Sequence, residues 1–313
     1  MRYAKAPRLA LAAELCCLAT VAVLLGAVPG SAQNLPLVPT IEANRHIVKK
    51  VQPVWPMTSL GQMQGTVVLE ATIDETGRVV SVGFISGPPL LTQSAFSALR
   101  RFRYRPFFIK GVPSKVNTLV PFIFSLRVHN RQLIQEAKKT MAYSQRFVQC
   151  RSLLLARNYA DAAGPCAALP RLAEALPSYL YLERVDAYHY AGQLALKQHD
   201  DASAVTLFRR EVLAAKILAP QGGVGLGRAY EELADAYEGE GEPKQAEGFL
   251  MEAVSAYKGA CGHALSGVAK ARCEQTLVSL LRRDATVLGK LGRTRDSARV
   301  TREADKLAAR IRH

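Results

Sequence analysis

The side chains that could do chemistry are spread thinly along 313 residues. The six histidines, His46, His129, His189, His199, His263 and His313, stand far apart, without the short spacings that bring two imidazoles onto one ion. Each reads as a surface or lightly buried histidine, so the sequence implies no metal centre and no cofactor. There is no nucleophile elbow, phosphate-binding loop or zinc-protease signature. The glycines of QGGVGLG, Gln221 to Gly227, follow no strand and read as a connector between helices. Carboxylates gather at Glu231 and Glu232, and again at Glu238, Glu240 and Glu242. In an Ala-rich helical setting they read as solvated faces and turns, not as an acid and a base facing each other across a cleft. No catalytic residue is expected, and the chain is not expected to be an enzyme.

The cysteines depend on the compartment. Arg2, Lys5 and Arg8 precede an apolar run from Leu15 to Val28, and Pro29, Gly30, Ser31 and Ala32 follow. This is the layout of a secretory signal peptide over residues 1–32, cut after Ala32. The alternative is an uncleaved anchor, since Leu9 to Val28 nearly spans a bilayer if Glu14 is tolerated. Export leaves Cys150, Cys166, Cys261 and Cys273, an even set in an oxidising compartment. Four cysteines allow three pairings. The local pairs, Cys150 with Cys166 and Cys261 with Cys273, are expected, with buried free thiols as the alternative.

A third constellation is ALRRFRYRP, which sets Arg100, Arg101, Arg103 and Arg105 among Phe102 and Tyr104. With a formal net charge of +15, such a string could neutralise phosphates and stack on bases. An exported protein rarely meets nucleic acid, so a structural reading is favoured. In it Ala98, Leu99 and Phe102 pack inward at helical spacing, and the arginines fall in the last turn of a helix that must end before Pro106.

The elements that position these residues divide the chain in two. Val67, Leu69, Ala71 and Ile73 alternate along a strand from Thr66 to Ile73, Asp74 to Gly77 supply a turn, and Arg78 to Ile85 form a second strand in which Val80, Val82 and Phe84 share a face. A helix from Leu91 and a closing strand within Thr118 to Val128 follow. Pro121 cannot donate a ladder hydrogen bond, which makes this an edge strand or places Pro121 on its outward side. From Arg131 onward the texture is Ala- and Leu-rich with helical periodicity. A weak repeat is visible in ARNYADAA, KQHDDASA, GEPKQAEG and GRTRDSAR, around Ala162, Ala202, Ala246 and Ala298. The spacing is longer and less regular than a strict repeat of about 34 residues, and the small residues are expected where facing helices approach closely.

Residues 47–128 resemble the C-terminal domain of the TonB family. The resemblance rests on QPVWP (Gln52 to Pro56), GQMQGTVVLEATIDETGRVVSVGFISG (Gly61 to Gly87), ALRRFRYRP, and TLVPFIFSL (Thr118 to Leu126). Its motif positions are Trp55, Pro56, Gly65, Gly77, Arg101 and Pro106. The resemblance implies an α+β domain with a three-stranded antiparallel sheet and helices on one side, followed here over 131–313 by a tetratricopeptide-like helical-repeat domain, with 33–46 as a linker. It also implies a partner-binding edge strand, Val120, Pro121, Phe122, Ile123, Phe124, Ser125 and Leu126, that takes up an extended segment of a protein or peptide by β-augmentation. The partner so implied could be an outer-membrane TonB-dependent receptor. No nucleic acid is expected, and membrane contact is expected only through an uncleaved leader. The expected place is the periplasm, or the inner membrane facing the periplasm if the anchor stays. Two departures matter. A full energy transducer of this family carries a His-containing membrane helix and a long Pro-rich spacer, and neither is found in this sequence, which leaves an energy-transducing component of TonB-dependent transport as the alternative function.

Overall fold

The computed structural model describes residues 35–55, 64–125, 131–220, 222–263 and 267–311. The leader, Pro56, Leu126, His129, Gln221 and His313 lie outside the described residues, and so do the readings that fall on them.

The expected hairpin forms from β3 (Gly65–Ile73) and β4 (Val79–Ser86). The Asp74 carboxylate accepts the backbone N–H groups of Thr76 and Arg78 at 2.9 and 2.8 Å. Gly77 turns the chain at φ 82°. A Cβ there would stand 1.9 Å from the Tyr104 carbonyl oxygen, so both the left-handed backbone and the close approach require glycine. A bulge at Thr72/Ile73 shifts the register. Val79, not Val80, therefore packs inward with Val82 and Phe84, and Val80 is exposed.

The helix after the hairpin, Pro89–Leu99, stops at Leu99, earlier than its periodicity suggests. The N–H groups of Arg101 and Phe102 bond back to Ala98 and Leu99 at 3.1 and 3.0 Å, and the arginine cluster lies past the helix, not in its last turn. Arg103–Tyr104 (β5) pairs antiparallel with Ile47–Lys49 (β2). Period-two alternation thus orders the cluster: Phe102 and Tyr104 are buried, while Arg101, Arg103 and Arg105 face water, and Phe107 is buried beyond Pro106. Arg105 donates from Nη2 to the Arg45 carbonyl at 2.6 Å. The two-residue strands β6 (Phe108–Ile109) and β7 (Val112–Pro113) then form a small ribbon.

The closing strand β8 (Val116–Phe124) pairs antiparallel with β3 along its whole length. Most of the described part of the stretch read as a linker, residues 37–45, is part of the fold. Leu37–Val38 (β1) adds in parallel to Asn117 and Thr118 of β8, and Thr40–Arg45 (α1) follows it. Among the described residues the sheet has four strands, in the order β1-β8-β3-β4, instead of three. With Pro89–Leu99 as α2, one face buries Val67, Leu69, Ala71, Val120 and Phe122 against Leu91, Ala95, Leu99 and Phe102.

The other face is covered too. Val68, Ile85 and Leu119 share a core with Tyr143, Phe147 and Val148 of α3 (Arg131–Leu155). Helices α4 (Tyr159–Glu174), α5 (Tyr181–Lys197), α6 (Asp201–Leu218), α7 (Val224–Gly239), α8 (Pro243–His263), α9 (Gly267–Lys290) and α10 (Thr294–Ile311) complete the region. They pack as successive antiparallel hairpins, α3/α4, α5/α6, α7/α8 and α9/α10. Each turn has a residue in the left-handed region two positions before the second helix: Arg157, His199, Gly241 and Gly292. The N–H groups of Ala162, Ala204, Ala246 and Ser297 bond to Asn158, Asp200, Glu242 and Arg293 at equivalent places. Ala162, Ala204 and Ala246 are buried, whereas Ala202 and Ala298 are exposed. The repeat as aligned by sequence likeness is thus out of register at the second and fourth turns. Cys150 bonds Cys166 across α3/α4, and Cys261 bonds Cys273 between α8 and α9.

Candidate functional site

Among the described residues, two places are candidates for a site. The first is the outer edge of β8. Asn117 donates its N–H to the Pro36 carbonyl at 2.9 Å, and the Leu119 carbonyl accepts the Thr40 hydroxyl at 2.9 Å. Odd-numbered residues of β8 therefore aim their backbone groups away from β3. Beyond Leu119 the outward row consists of the Pro121 carbonyl and the N–H and carbonyl of Ile123, and none of these has a backbone partner among the described residues. Pro121 sits on the outward side, where a missing N–H leaves the ladder to β3 intact.

The proposed edge residues fall into two kinds. Val120, Phe122 and Phe124 are buried and hold the core, and Trp55 meets Phe124 edge-on at 5.4 Å between centroids. Pro121 is half-buried and the Ile123 side chain is 48% exposed. Ser125 follows the strand's end and has a partner of its own. Of the motif positions, Gly65 opens β3 opposite Phe124, where a Cβ would meet Pro88 at 2.9 Å. Arg101 is exposed and Pro106 half-buried beside the ribbon.

The second place lies among α5, α6 and α7, and sequence reasoning missed it. Glu232, read as part of a solvated face, is buried. Its Oε2 is 2.8 Å from His189 Nδ1, and its Oε1 accepts Gln193 Nε2 at 3.1 Å. The Glu211 side chain is 0% exposed; its Oε1 lies 3.3 Å from Arg228 Nη2 and 3.9 Å from His189 Nδ1. Glu211 Oε2 is buried without a hydrogen-bond partner among the described residues. One ligand-type atom from each of His189, Glu211 and Glu232 lies within 4.8 Å of the other two. Burial, then the charge of Glu232, pushes the Glu211 carboxyl up to about 9, and burial also raises Asp186. The cluster can therefore hold protons or a cation. One sequence signal pointed to it: Ala204, Phe208, Glu211 and Ala215 form a single helical stripe, and a charged residue within an apolar stripe is buried with it. His189 gave no such signal, because its partners come from other helices. His46 stacks on Phe107 at 4.3 Å, and His199 is exposed.

Flanking contacts are conventional ion pairs. Arg151 Nη2 meets Glu70 Oε2 at 2.8 Å, joining α3 to β3. Arg283 binds Asp235 and, at 2.6 Å, Glu238. Further polar contacts gather where the sheet meets the helices: Gly87 donates its N–H to Glu183 Oε1 at 2.8 Å, the Tyr143 hydroxyl of α3 donates to the Glu183 carbonyl of α5 at 2.9 Å, and the Ser86 and Ser144 hydroxyls lie 3.0 Å apart. Glu183 also lines a cavity of about 310 Å³ with Phe84, Tyr179 and Leu218.

Residues 53–126 match the family model of the Gram-negative bacterial TonB protein C-terminal. This segment thus resembles a TonB C-terminal domain, and a region of helical hairpins follows it. Among solved structures, the chain is similar to MamA 41-end from Desulfovibrio magneticus RS-1, at 14% identity over 57% of this chain and 88% of that one, with a TM-score of 0.40. It is also similar to a Podosopora anserina kinesin light chain with nearly identical TPR-like repeats, at 16% identity over 54% and 92%, with a TM-score of 0.35. Comparison with curated proteins gave no match. No helix of the described residues is long and apolar enough to cross a membrane.

Proposed function

We propose that this protein is a periplasmic TonB-family adaptor that takes up an extended segment of a partner on the outer edge of β8 and holds the partner's remainder on its helical repeats. The supporting observation is the outward row at Pro121 and Ile123, unpaired among the described residues in a sheet whose two faces are both buried. An unpaired strand edge is a template for another chain. The reading uses no cofactor and no catalytic residue.

Phe122 and Phe124 point into the core, so an acidic residue at either would test folding and not capture. Ile123→Pro is the better perturbation. It removes one outward N–H, leaves the bonds to β3 alone, and repeats what Pro121 already does two residues earlier. In a pull-down from envelope extract, the full chain should retain a partner that Ile123→Pro releases while its circular dichroism is unchanged. An identical set of captured proteins from both chains would reject the edge as the binding element.

A further inference from the structure

We propose that His189, Glu211 and Glu232 form a binding site for one divalent transition-metal ion, with Zn²⁺ as the ion that best suits the donors. The three residues come from α5, α6 and α7, and their ligand atoms converge within 4.8 Å. One imidazole nitrogen with two carboxylates suits zinc and its first-row neighbours, whereas calcium requires six to eight oxygens.

The surrounding groups are arranged as an outer shell. Gln193 holds Glu232 by Oε1, at 3.1 Å, which leaves Oε2 on the His189 side. Arg228 holds Glu211 by Oε1, at 3.3 Å, which leaves Oε2 without a hydrogen-bond partner among the described residues, in a side chain of 0% exposure. Such second contacts fix the orientation of metal ligands. An orphaned, fully buried carboxylate oxygen is costly unless something binds it.

The charges point the same way. Asp186, three residues before His189, feels Arg228 and His189. Arg151 also reaches it, but is itself paired with Glu70. The carboxylates of Asp186, Glu211 and Glu232 outnumber the single guanidinium of Arg228 that reaches them. One divalent ion would offset that excess of negative charge. An ion here would tie α5 and α6 to α7 and so fix one repeat hairpin against the next.

The test uses the full chain without added histidines, stripped with EDTA and titrated with Co²⁺, then with Zn²⁺ in competition. One Co²⁺ per chain should bind with visible ligand-field bands, and Zn²⁺ should abolish them. His189→Gln, Glu211→Gln and Glu232→Gln should each lose the bands, and His199→Ala should keep them. Gln193→Ala, which touches no ion, should weaken binding by about ten- to a hundredfold. Absence of bands in the unaltered chain, or bands that persist in the His189 and glutamate variants, would overturn the assignment. Should Glu211→Gln fail to fold, His189→Gln decides the question in the same way, since that side chain is partly exposed.

Discussion

Glu183 offers the sharpest quantitative test of how the sheet is joined to the helices. Its side chain accepts the Gly87 N–H at 2.8 Å, and the residue is only 2% exposed. Burial raises its carboxyl from the ordinary 4.5 to about 7, against the opposing Gly87 hydrogen bond, with Asp186 adding to the rise and Arg184 offsetting part of it. Tyr143 from α3 and Tyr179 also face it. A folded-state value above the unfolded one means that the native chain binds the extra proton. Stability from this group is therefore full below about pH 4.5 and falls as pH rises through the folded value. Each tenfold change in proton affinity is about 1.4 kcal/mol, so the loss between about pH 4 and pH 8 comes to about 3 kcal/mol. Glu183→Gln keeps an acceptor for Gly87 and removes the titration. Guanidinium denaturation of both chains should show similar stability at about pH 4, and the variant more stable by about 3 kcal/mol at about pH 8. Other buried carboxyls, Glu211 and Asp284 among them, titrate equally in both chains and cancel. The same offset at both pH values would refute the reasoning, because it would mean that Glu183 ionises as freely folded as unfolded.

Two further outcomes follow from the backbone and the cross-links. Gly77→Ala should destabilise by about 2 kcal/mol or more, because a side chain there meets both a left-handed φ and the Tyr104 carbonyl; an unchanged denaturation midpoint would contradict that turn. Reducing the chain should lower stability by about 3 kcal/mol for each bond of this loop length. Cys150→Ala with Cys166→Ala should reproduce the share from the α3/α4 hairpin, where the cysteines are 16 residues apart, as measured by denaturation without reductant.

What could be read in the sequence were features carried by neighbours along the chain. The alternation of Val67, Leu69, Ala71 and Ile73, the turn at Gly77 and the breaks at Pro88 and Pro89 each reflect a local preference that tertiary contacts reinforce. The errors came where distant partners decide. Leu37–Val38 is too short to show a period, and becomes a strand only because Asn117 and Thr118 are there to pair with it. Arg100 to Arg105 could be read as helix or strand, and pairing with Ile47–Lys49 selected the strand. Sequence likeness aligns Ala202 with Ala162, but the left-handed residue at His199 shifts the register and buries Ala204 instead. The polar cluster was the hardest case. His189, Glu211 and Glu232 are far apart in sequence, on three helices, and only helix stacking brings them together.

The length of the open rim bears on how the proposed adaptor must work. β1 occupies Asn117 and Thr118, Thr40 caps Leu119, and Pro121 lacks a donor. An incoming strand is left with one N–H and two carbonyls, or about 3 kcal/mol at a net 1 kcal/mol per hydrogen bond. Contact with the exposed Ile123 side chain adds about 1–2 kcal/mol. Association itself costs about 4–15 kcal/mol, which cancels that gain, so a short extended peptide alone should bind more weakly than about millimolar Kd. Useful affinity then requires a second contact on the same molecule. Linked contacts raise effective concentration and can exceed either affinity alone by about 10²–10⁴-fold, and the helical hairpins are packed directly behind the sheet through Tyr143 and Phe147. Calorimetry with a short strand-forming peptide and with the intact captured partner separates the cases. Tight binding of the peptide alone would show that the rim is longer, or better supported, than Pro121 and Ile123 make it, and would remove the need for the repeats to take part.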